Sequence, residues 1–234
     1  MGVSKGGFGS GVGILATPLV ALTVPTPQAA AILLPILLVM DVTGLAAYRG
    51  VFSRENLKLI LAGGISGVAL GAFTFRFFDE ALIRVVMGTI ALSFVAHRLY
   101  GPPRAAPAVR STPKGLFWSA LAGLTSTIAH AGGPPLNIYL LPQQLEKRVF
   151  VGTTVIFFAI MNALKVVPYF WLGLFDARNL LTSLALAPLA PVGIFAGLWL
   201  VRRIPQKTFY RICYAMLFVV GIKLLHDGVR AWLA

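Results

Sequence analysis

Long apolar runs, separated by short stretches of charge, proline and glycine, fill most of the chain. Their apolar residues are not confined to one helical face, which is the pattern of helices in lipid, because hydrocarbon accepts an apolar surface on every side. Each run approaches the length of about 20 residues that a helix needs to cross a bilayer. The pattern predicts eight transmembrane segments, at 8–24, 28–48, 57–75, 82–99, 115–141, 149–171, 180–201 and 209–232.

A faint internal duplication divides these segments into two sets. Residues 8–13 align with residues 128–133 at an offset of 120, and residues 52–57 align with residues 175–180 at an offset of 123. Internal symmetry of this kind is typical of transporters. We therefore expect an all-α integral membrane fold with two pseudo-repeats of four helices, at residues 1–100 and 114–234, joined by a proline-rich linker at 101–113.

The alignment of the two halves also bears on the first segment. At an offset of 120, residues 114–120 have their counterpart upstream of Met1. The first segment is therefore predicted to begin in its own middle, either because the natural amino terminus is longer, which we favour, or because a half-length segment is tolerated. A signal peptide fits poorly, since glycines interrupt the apolar region.

The composition supports a membrane protein and argues against the soluble classes. The chain is 58% hydrophobic and only 12% charged, whereas average globular chains have about 25% charged residues. The formal net charge of +13 comes from Lys and Arg residues that mostly flank the apolar runs, so it indicates lipid head groups rather than nucleic acid. A single cysteine, Cys213, and no clustered Cys and His residues give no reason to expect a disulfide, a metal or a cofactor.

Two stretches in corresponding positions of the halves are predicted to interrupt their helices. Residues 4–13 contain five glycines, and residues 125–135 end in two glycines and two prolines. Glycine costs about 1 kcal/mol against alanine inside a helix, and proline lacks the N–H that a continuous helix uses. Unwound backbone in paired broken helices presents N–H groups to an anion within the membrane. The alternative is close helix packing through small residues.

The interruptions supply most of the candidate substrate-binding residues. They are Ser4, Lys5, Gly6, Gly7, Gly9, Gly11, Gly13, Thr125, Ser126, His130, Gly132 and Gly133. Hydroxyl groups beside the second interruption could donate to an anion, although Ser and Thr in helices more often bond to their own carbonyls. A histidine there could donate to an anion or titrate near neutral pH, or could be a packing residue.

Three polar residues inside apolar segments complete the candidate site. Lys165 could attract an anion, because a charge at the centre of a span costs about 2.5 to 3.5 kcal/mol and normally faces a cavity or a partner. Alternatively, the Lys165 side chain could extend to the membrane–water interface near Trp171. Asn162 lies one helical turn before Lys165 on the same face. Asp41 could couple transport to protons, or could pair with a cation such as Lys165.

With these motifs, the chain resembles the TauE/SafE sulfite-exporter family of membrane permeases. The resemblance rests on the glycine-rich stretch that is followed by apolar residues and proline, on its repetition in the second half, and on the proline-rich connector. It implies a multi-pass protein of the cell inner membrane that moves sulfite, sulfonates or related sulfur-containing anions. The second stretch departs from the family's run of glycines, with His130, Ala131, Pro134 and Pro135 in their place.

The function predicted is a secondary permease for a small anion, working by alternating access, and not an enzyme. Its expected partners are the anion and the lipid bilayer, with a homodimer as a further expectation. A membrane enzyme using His130 and Asp41 fits poorly, because the chain has no HExxH, no GxSxG and no paired carboxylates. The remaining alternative is a structural or accessory subunit of a membrane complex, in which the glycines serve packing alone.

Overall fold

The computed structural model describes residues 1–8, 20, 26–74, 80–100 and 107–233. Within these residues the regular structure is helical. The helices are α1 (Gly2–Phe8), α2 (Thr26–Ala47), α3 (Arg54–Thr74), α4 (Glu80–Tyr100), α5 (Thr112–Ala129), α6 (Gly133–Leu140), α7 (Lys147–Trp171), α8 (Ala177–Leu186), α9 (Leu189–Arg203) and α10 (Gln206–Leu233), with one 3-10 turn (Leu141–Gln143) after α6.

Several of these helices are long and apolar enough to cross a bilayer. Among the described residues, four helices qualify by length and composition: α2, α3, α7 and α10. Helices α8 and α9 qualify as a pair that is bent by 42°, and they make a fifth span if they cross together. The predicted count of eight segments stays a prediction, because most of the first segment lies outside the described residues.

Large apolar side chains cover the outside of the helices. Phe73, Leu184, Val192 and Trp199 are all exposed. Apolar surface of this extent is rare on soluble monomers and marks contact with a membrane or a partner. Together with the long apolar helices, it supports the all-helical membrane fold that the hydrophobic pattern predicts.

Four helix pairs form the closest packing: α3 with α5, α4 with α10, α1 with α9, and α2 with α7. Glycines bring two of these pairs together. A Cβ atom on Gly67 of α3 would overlap the Ala120 carbonyl of α5, and one on Gly6 of α1 would lie 2.5 Å from the Ile194 carbonyl oxygen of α9. Small residues therefore let these backbones approach directly, as in membrane helix pairs generally.

The described part of the first predicted interruption, up to Phe8, is helical. Gly6 and Gly7 lie inside helix α1 and contact α9. The close contact with α9 offsets the about 1 kcal/mol that each glycine costs in a helix. The interruption predicted within residues 4–13 stays a prediction. Gly9, Gly11 and Gly13 lie outside the described residues.

Two tyrosine hydrogen bonds repeat at one constant spacing along the chain. The Tyr48 hydroxyl donates to the Gly6 carbonyl at 2.5 Å, and the Tyr169 hydroxyl donates to the Thr127 carbonyl at 2.8 Å. Tyr48 and Tyr169 are separated by 121 residues, as are Gly6 and Thr127, and as are the hydrogen-bonded residues Asp41 and Asn162. Tyr48, directly after α2, and Tyr169, in α7, thus make equivalent hydrogen bonds to α1 and to α5.

Candidate functional site: a buried polar cluster

The second interruption lies where the sequence predicts it. Helix α5 ends at Ala129, and His130 adopts a left-handed conformation with φ 51° and ψ 31°. The backbone N–H of His130 donates to the Ser126 carbonyl at 3.1 Å, and the N–H of Ala131 donates to the Thr125 carbonyl at 3.1 Å. These bonds satisfy carbonyls at the end of α5. Helix α6 then begins at Gly133.

Two prolines start the new helix after the interruption. Pro134 and Pro135 lie in the first turn of α6, where a missing N–H costs little because those N–H groups have no partner within the helix. Gly132, just before them, is tightly packed, since a Cβ atom there would lie 2.5 Å from the Ala122 carbonyl oxygen. The glycine and proline run therefore lies where α5 ends and α6 begins.

A buried ion pair joins helices α1 and α2. The Lys5 ammonium lies 2.5 Å from Oδ1 of Asp41, and both side chains are almost completely buried, with relative exposures of 3% and 5%. The other oxygen of Asp41 accepts a hydrogen bond of 2.7 Å from the Asn162 side chain of α7. Of the two roles predicted for Asp41, the structure shows pairing with a cation, but the cation is Lys5 rather than Lys165.

Lys165 lies in the same region, and its hydrogen-bond partners among the described residues are neutral. Its side chain is fully buried at 0% exposure, so it does not extend to the interface. Its ammonium donates to the Ser126 carbonyl at 3.1 Å and to the Ser126 hydroxyl at 3.0 Å. It also lies 3.0 Å from Nδ1 of His130. Helix α7 thus contributes an ammonium to the end of α5.

The imidazole of His130 connects Lys165 to helix α2. Its Nε2 atom lies 3.1 Å from the Ala30 carbonyl oxygen. Because a carbonyl oxygen can only accept, Nε2 carries the hydrogen, and Nδ1 faces the Lys165 ammonium as an acceptor. The Tyr169 ring packs beside the imidazole, with 6.2 Å between the ring centroids.

We call these six residues the buried polar cluster: Lys5, Asp41, Ser126, His130, Asn162 and Lys165. A cavity of about 30 Å³ lies among them, and its wall includes Lys5, Ser126, His130 and Asn162. This volume suits a water molecule or two. An anion of several atoms needs more room than this space offers.

The charges of the cluster leave it attractive to an anion. It contains two lysines and one aspartate, and Asp41 is already paired with Lys5. A buried charge without an opposite partner is costly, and such charges in membrane proteins mark substrate or ion pathways. The cluster therefore favours a further negative charge close to Lys165.

The remaining predicted residues that the structure describes lie outside the buried polar cluster. The Thr125 hydroxyl donates back to the Leu121 carbonyl of its own helix at 2.8 Å, which is the alternative that the sequence left open. Ser4 is buried in α1, and Gly133 lines the cavity. Among the described candidates, these residues are thus less directly placed to donate to an anion than the buried polar cluster is.

Sequence reasoning missed several groups that support the cluster. The carbonyls of Ala30 and Leu37 accept from His130 and from Lys5, at 3.1 and 3.4 Å. Main-chain acceptors of this kind have no side-chain signature. Tyr48 and Tyr169 do have one, because their common separation of 121 residues, shared with Asp41 and Asn162, is visible in the sequence.

An all-helical chain with several apolar spans and a charged cluster buried between its helices is, by class, a membrane transport protein. Comparison with known families identifies the family within this class. The family described as Sulfite exporter TauE/SafE matches residues 1–224 of the 234-residue chain. The chain belongs to the TauE/SafE sulfite exporter family, a family of membrane permeases. No curated protein and no solved structure matches it.

Proposed function

We propose that this protein is a secondary permease of the cell inner membrane for a small anion, namely sulfite, a sulfonate or another sulfur-containing anion, which binds at the buried polar cluster. The observation that carries the proposal is the excess of buried lysine over buried aspartate beside an interrupted helix. The family supplies the class of anion. The structure supplies the donors.

The donors available to the anion come from four helices. Lys5 lies on α1, Ser126 and His130 lie at the end of α5, and Asn162 and Lys165 lie on α7. Helix α6 starts at the cavity wall with Gly133, and the amino end of a helix carries a partial positive charge. Opening of the cavity would allow an anion to accept from these groups together.

The symmetry of the packing supports alternating access by two related units. The pairing of α3 with α5 has its counterpart in the pairing of α9 with α1, while α2 pairs with α7 and α4 pairs with α10. The repeated tyrosine bonds and the contact between Asp41 and Asn162 agree with this relation. Movement of one half against the other would open the cluster to each side in turn.

Flux into proteoliposomes tests the proposal. Purified protein is reconstituted and offered sulfite, thiosulfate, methanesulfonate, sulfate and acetate, and Lys165→Met is compared with Lys58→Met. Lys58 is an exposed lysine of α3 and serves as the matched control. We expect flux of at least one sulfur-containing anion in the wild type and in Lys58→Met, and a loss of at least tenfold in Lys165→Met, because a factor of ten corresponds to about 1.4 kcal/mol of lost attraction.

Two results would contradict the proposal. Absence of flux for every anion in wild-type liposomes would favour the accessory-subunit alternative. Equal flux in wild type and Lys165→Met would remove the buried polar cluster from the transport site while leaving the permease activity itself intact.

A further inference from the structure

We propose that Lys165 and His130 together hold one exchangeable proton, and that this proton is taken up when the anion binds and released when it leaves. The inference rests on the proposed function, since it concerns the same cluster. It assigns proton coupling to this pair and not to Asp41.

The first argument is the hydrogen-bond arrangement around Lys165. An ammonium has three N–H donors, and Lys165 has three acceptors at 3.0 to 3.1 Å: the carbonyl and hydroxyl oxygens of Ser126, and Nδ1 of His130. The Ala30 carbonyl requires a hydrogen on Nε2 of His130. One hydrogen therefore lies between Nζ of Lys165 and Nδ1 of His130.

The second argument is that this hydrogen can move from Nζ of Lys165 to Nδ1 of His130 without any rearrangement of the side chains. With the proton on His130, Nδ1–H donates to a neutral Lys165 amine, which still donates its two hydrogens to Ser126. With the proton lost altogether, the neutral Lys165 amine has two hydrogens and one lone pair, and the Ser126 hydroxyl can donate to that lone pair. All three contacts can therefore persist in each protonation state, so the pair can gain or lose its proton within one geometry.

The third argument is the backbone conformation of His130. A left-handed residue after a helix is usually glycine, because a Cβ atom is strained there. His130 adopts this left-handed conformation although it has a Cβ atom. Its side chain makes two buried polar contacts, to Ala30 and to Lys165. This arrangement indicates that the imidazole itself is needed at the interruption.

Among the described residues, the titratable and charged groups around the pair are Lys5 on α1, Asp41 on α2, and Tyr169 beside Lys165 on α7, whose hydroxyl donates to the Thr127 carbonyl. Met1, with the amino-terminal ammonium, lines the same cavity. Asp41 is held by Lys5 and by Asn162, so its charge is already balanced. The proton between Lys165 and His130 therefore decides whether the cluster has a net charge of plus one or zero.

Coupling follows from this charge balance. A monoanion neutralises the cluster when the pair holds its proton, and it meets no net attraction when the pair has lost it. The proton comes from the solution on the side where the anion enters, and it returns to the solution on the side where the anion leaves. One proton accompanies each anion, and no bond other than N–H changes.

Proton uptake on anion binding tests the inference. Purified protein in weakly buffered detergent solution is titrated with methanesulfonate or thiosulfate, whichever the flux assay selects, and an indicator dye records the pH. Sulfite is left out because it takes up protons itself near neutral pH. Over the alkaline range in which the pair has lost its proton, we expect about one proton per anion bound by wild type, because uptake equals the difference in protons held by the two states.

Two variants separate the candidate groups. Asp41→Asn leaves Lys5 unpaired and adds one positive charge to the cluster, so its affinity for the anion will differ from that of wild type, but the uptake for each anion bound should remain about one proton. Lys165→Arg keeps a permanent positive charge, because guanidinium does not deprotonate in proteins. It should therefore bind the anion with no proton uptake and with an affinity that does not change with pH. Should Lys165→Arg fail to bind because of its size, the wild-type and Asp41→Asn titrations still decide the question.

Three outcomes would contradict the inference and leave the proposed permease function intact. Wild type that transports and binds the anion with no proton uptake would show that no proton is coupled. Uptake that persists in Lys165→Arg, or that disappears in Asp41→Asn while binding remains, would move the coupling to another group. Failure of the proposed function has a different result, which is the absence of both flux and binding for every anion.

Discussion

At the scale of single residues, His130 occupies a backbone position that suits glycine better than histidine. Its φ of 51° is shared, among the described non-glycine residues, only by Gln144, which ends the 3-10 turn after α6. The two positions have the same backbone requirement. They differ in that His130 is buried and bonded to Lys165, whereas Gln144 is exposed.

This difference gives a matched pair of substitutions. For His130→Gly we expect anion flux to fall at least tenfold, because the imidazole contacts are lost, while relief of backbone strain of up to about 1 kcal/mol partly offsets the loss of stability. For Gln144→Gly we expect unchanged flux and equal or higher stability. Flux assays and thermal midpoints in detergent check both, and His130→Gly at wild-type flux would show that the imidazole is dispensable.

The ion pair of Lys5 and Asp41 permits a second prediction. Lys5→Met leaves the Asp41 carboxylate buried, with Asn162 as its remaining hydrogen-bond donor among the described residues. Breaking a buried pair in this way costs about 3 to 5 kcal/mol. Lys5→Met with Asp41→Asn should recover much of that loss, because no charge is then unpaired. Chemical unfolding of both variants gives the comparison, and a double variant as unstable as Lys5→Met would show that packing, not charge, holds these residues.

At the scale of elements, the helix pairs are set by glycines whose missing side chains let the backbones touch. On α3, Gly63 and Gly67 both face α5, where added Cβ atoms would overlap main-chain or side-chain oxygens. Ser66 lies on the same helix but is exposed. One face of helix α3 thus packs against α5, and another face is exposed on the surface of the protein.

Substitution on the two faces should have different effects. Gly67→Ala should destabilise the protein by about 1 to 3 kcal/mol, because the Ala120 carbonyl that its Cβ meets is backbone and cannot rotate away. Ser66→Ala, the control, should change stability by no more than about 0.5 kcal/mol. Thermal midpoints in the same detergent provide the measurement, and equal midpoints for the two variants would mean that α3 and α5 are not in close contact.

At the scale of the whole molecule, transport by alternating access requires α2 and α7 to separate. A Cβ atom on Gly44 of α2 would lie 2.9 Å from the Val155 side chain of α7, so these positions face each other across the halves. A disulfide between cysteines there would hold the halves together, provided that its geometry is met. Cys213 is buried and can be replaced by alanine to give a background without other cysteines.

We expect Gly44→Cys with Val155→Cys to lose flux on oxidation and to regain it on reduction. The two single-cysteine variants, treated with the same oxidant, are the controls and should be unaffected. Gel mobility after cleavage between the halves confirms that the bond has formed. Full flux in the cross-linked protein would mean that the halves do not move apart at this contact.

The apolar runs, the second interruption and the family were available from the sequence because their causes are local. Hydrophobicity over about 20 residues predicts a membrane helix whatever it packs against. Two glycines followed by two prolines end a helix by their own backbone properties. For the same reason His130, Asn162 and Lys165 stood out as polar residues within apolar segments.

Only the tertiary structure decided which of these residues meet. Gly6 and Gly7 were candidate substrate-binding residues, and the structure places them in helix α1 against the backbone of α9. Asp41 could have paired with either buried lysine, and the position of α1 gives it Lys5. The Lys165 side chain is buried because its ammonium is hydrogen-bonded to Ser126 and His130 inside the protein. These pairings depend on contacts between residues far apart in the chain, and a local sequence pattern does not predict such contacts.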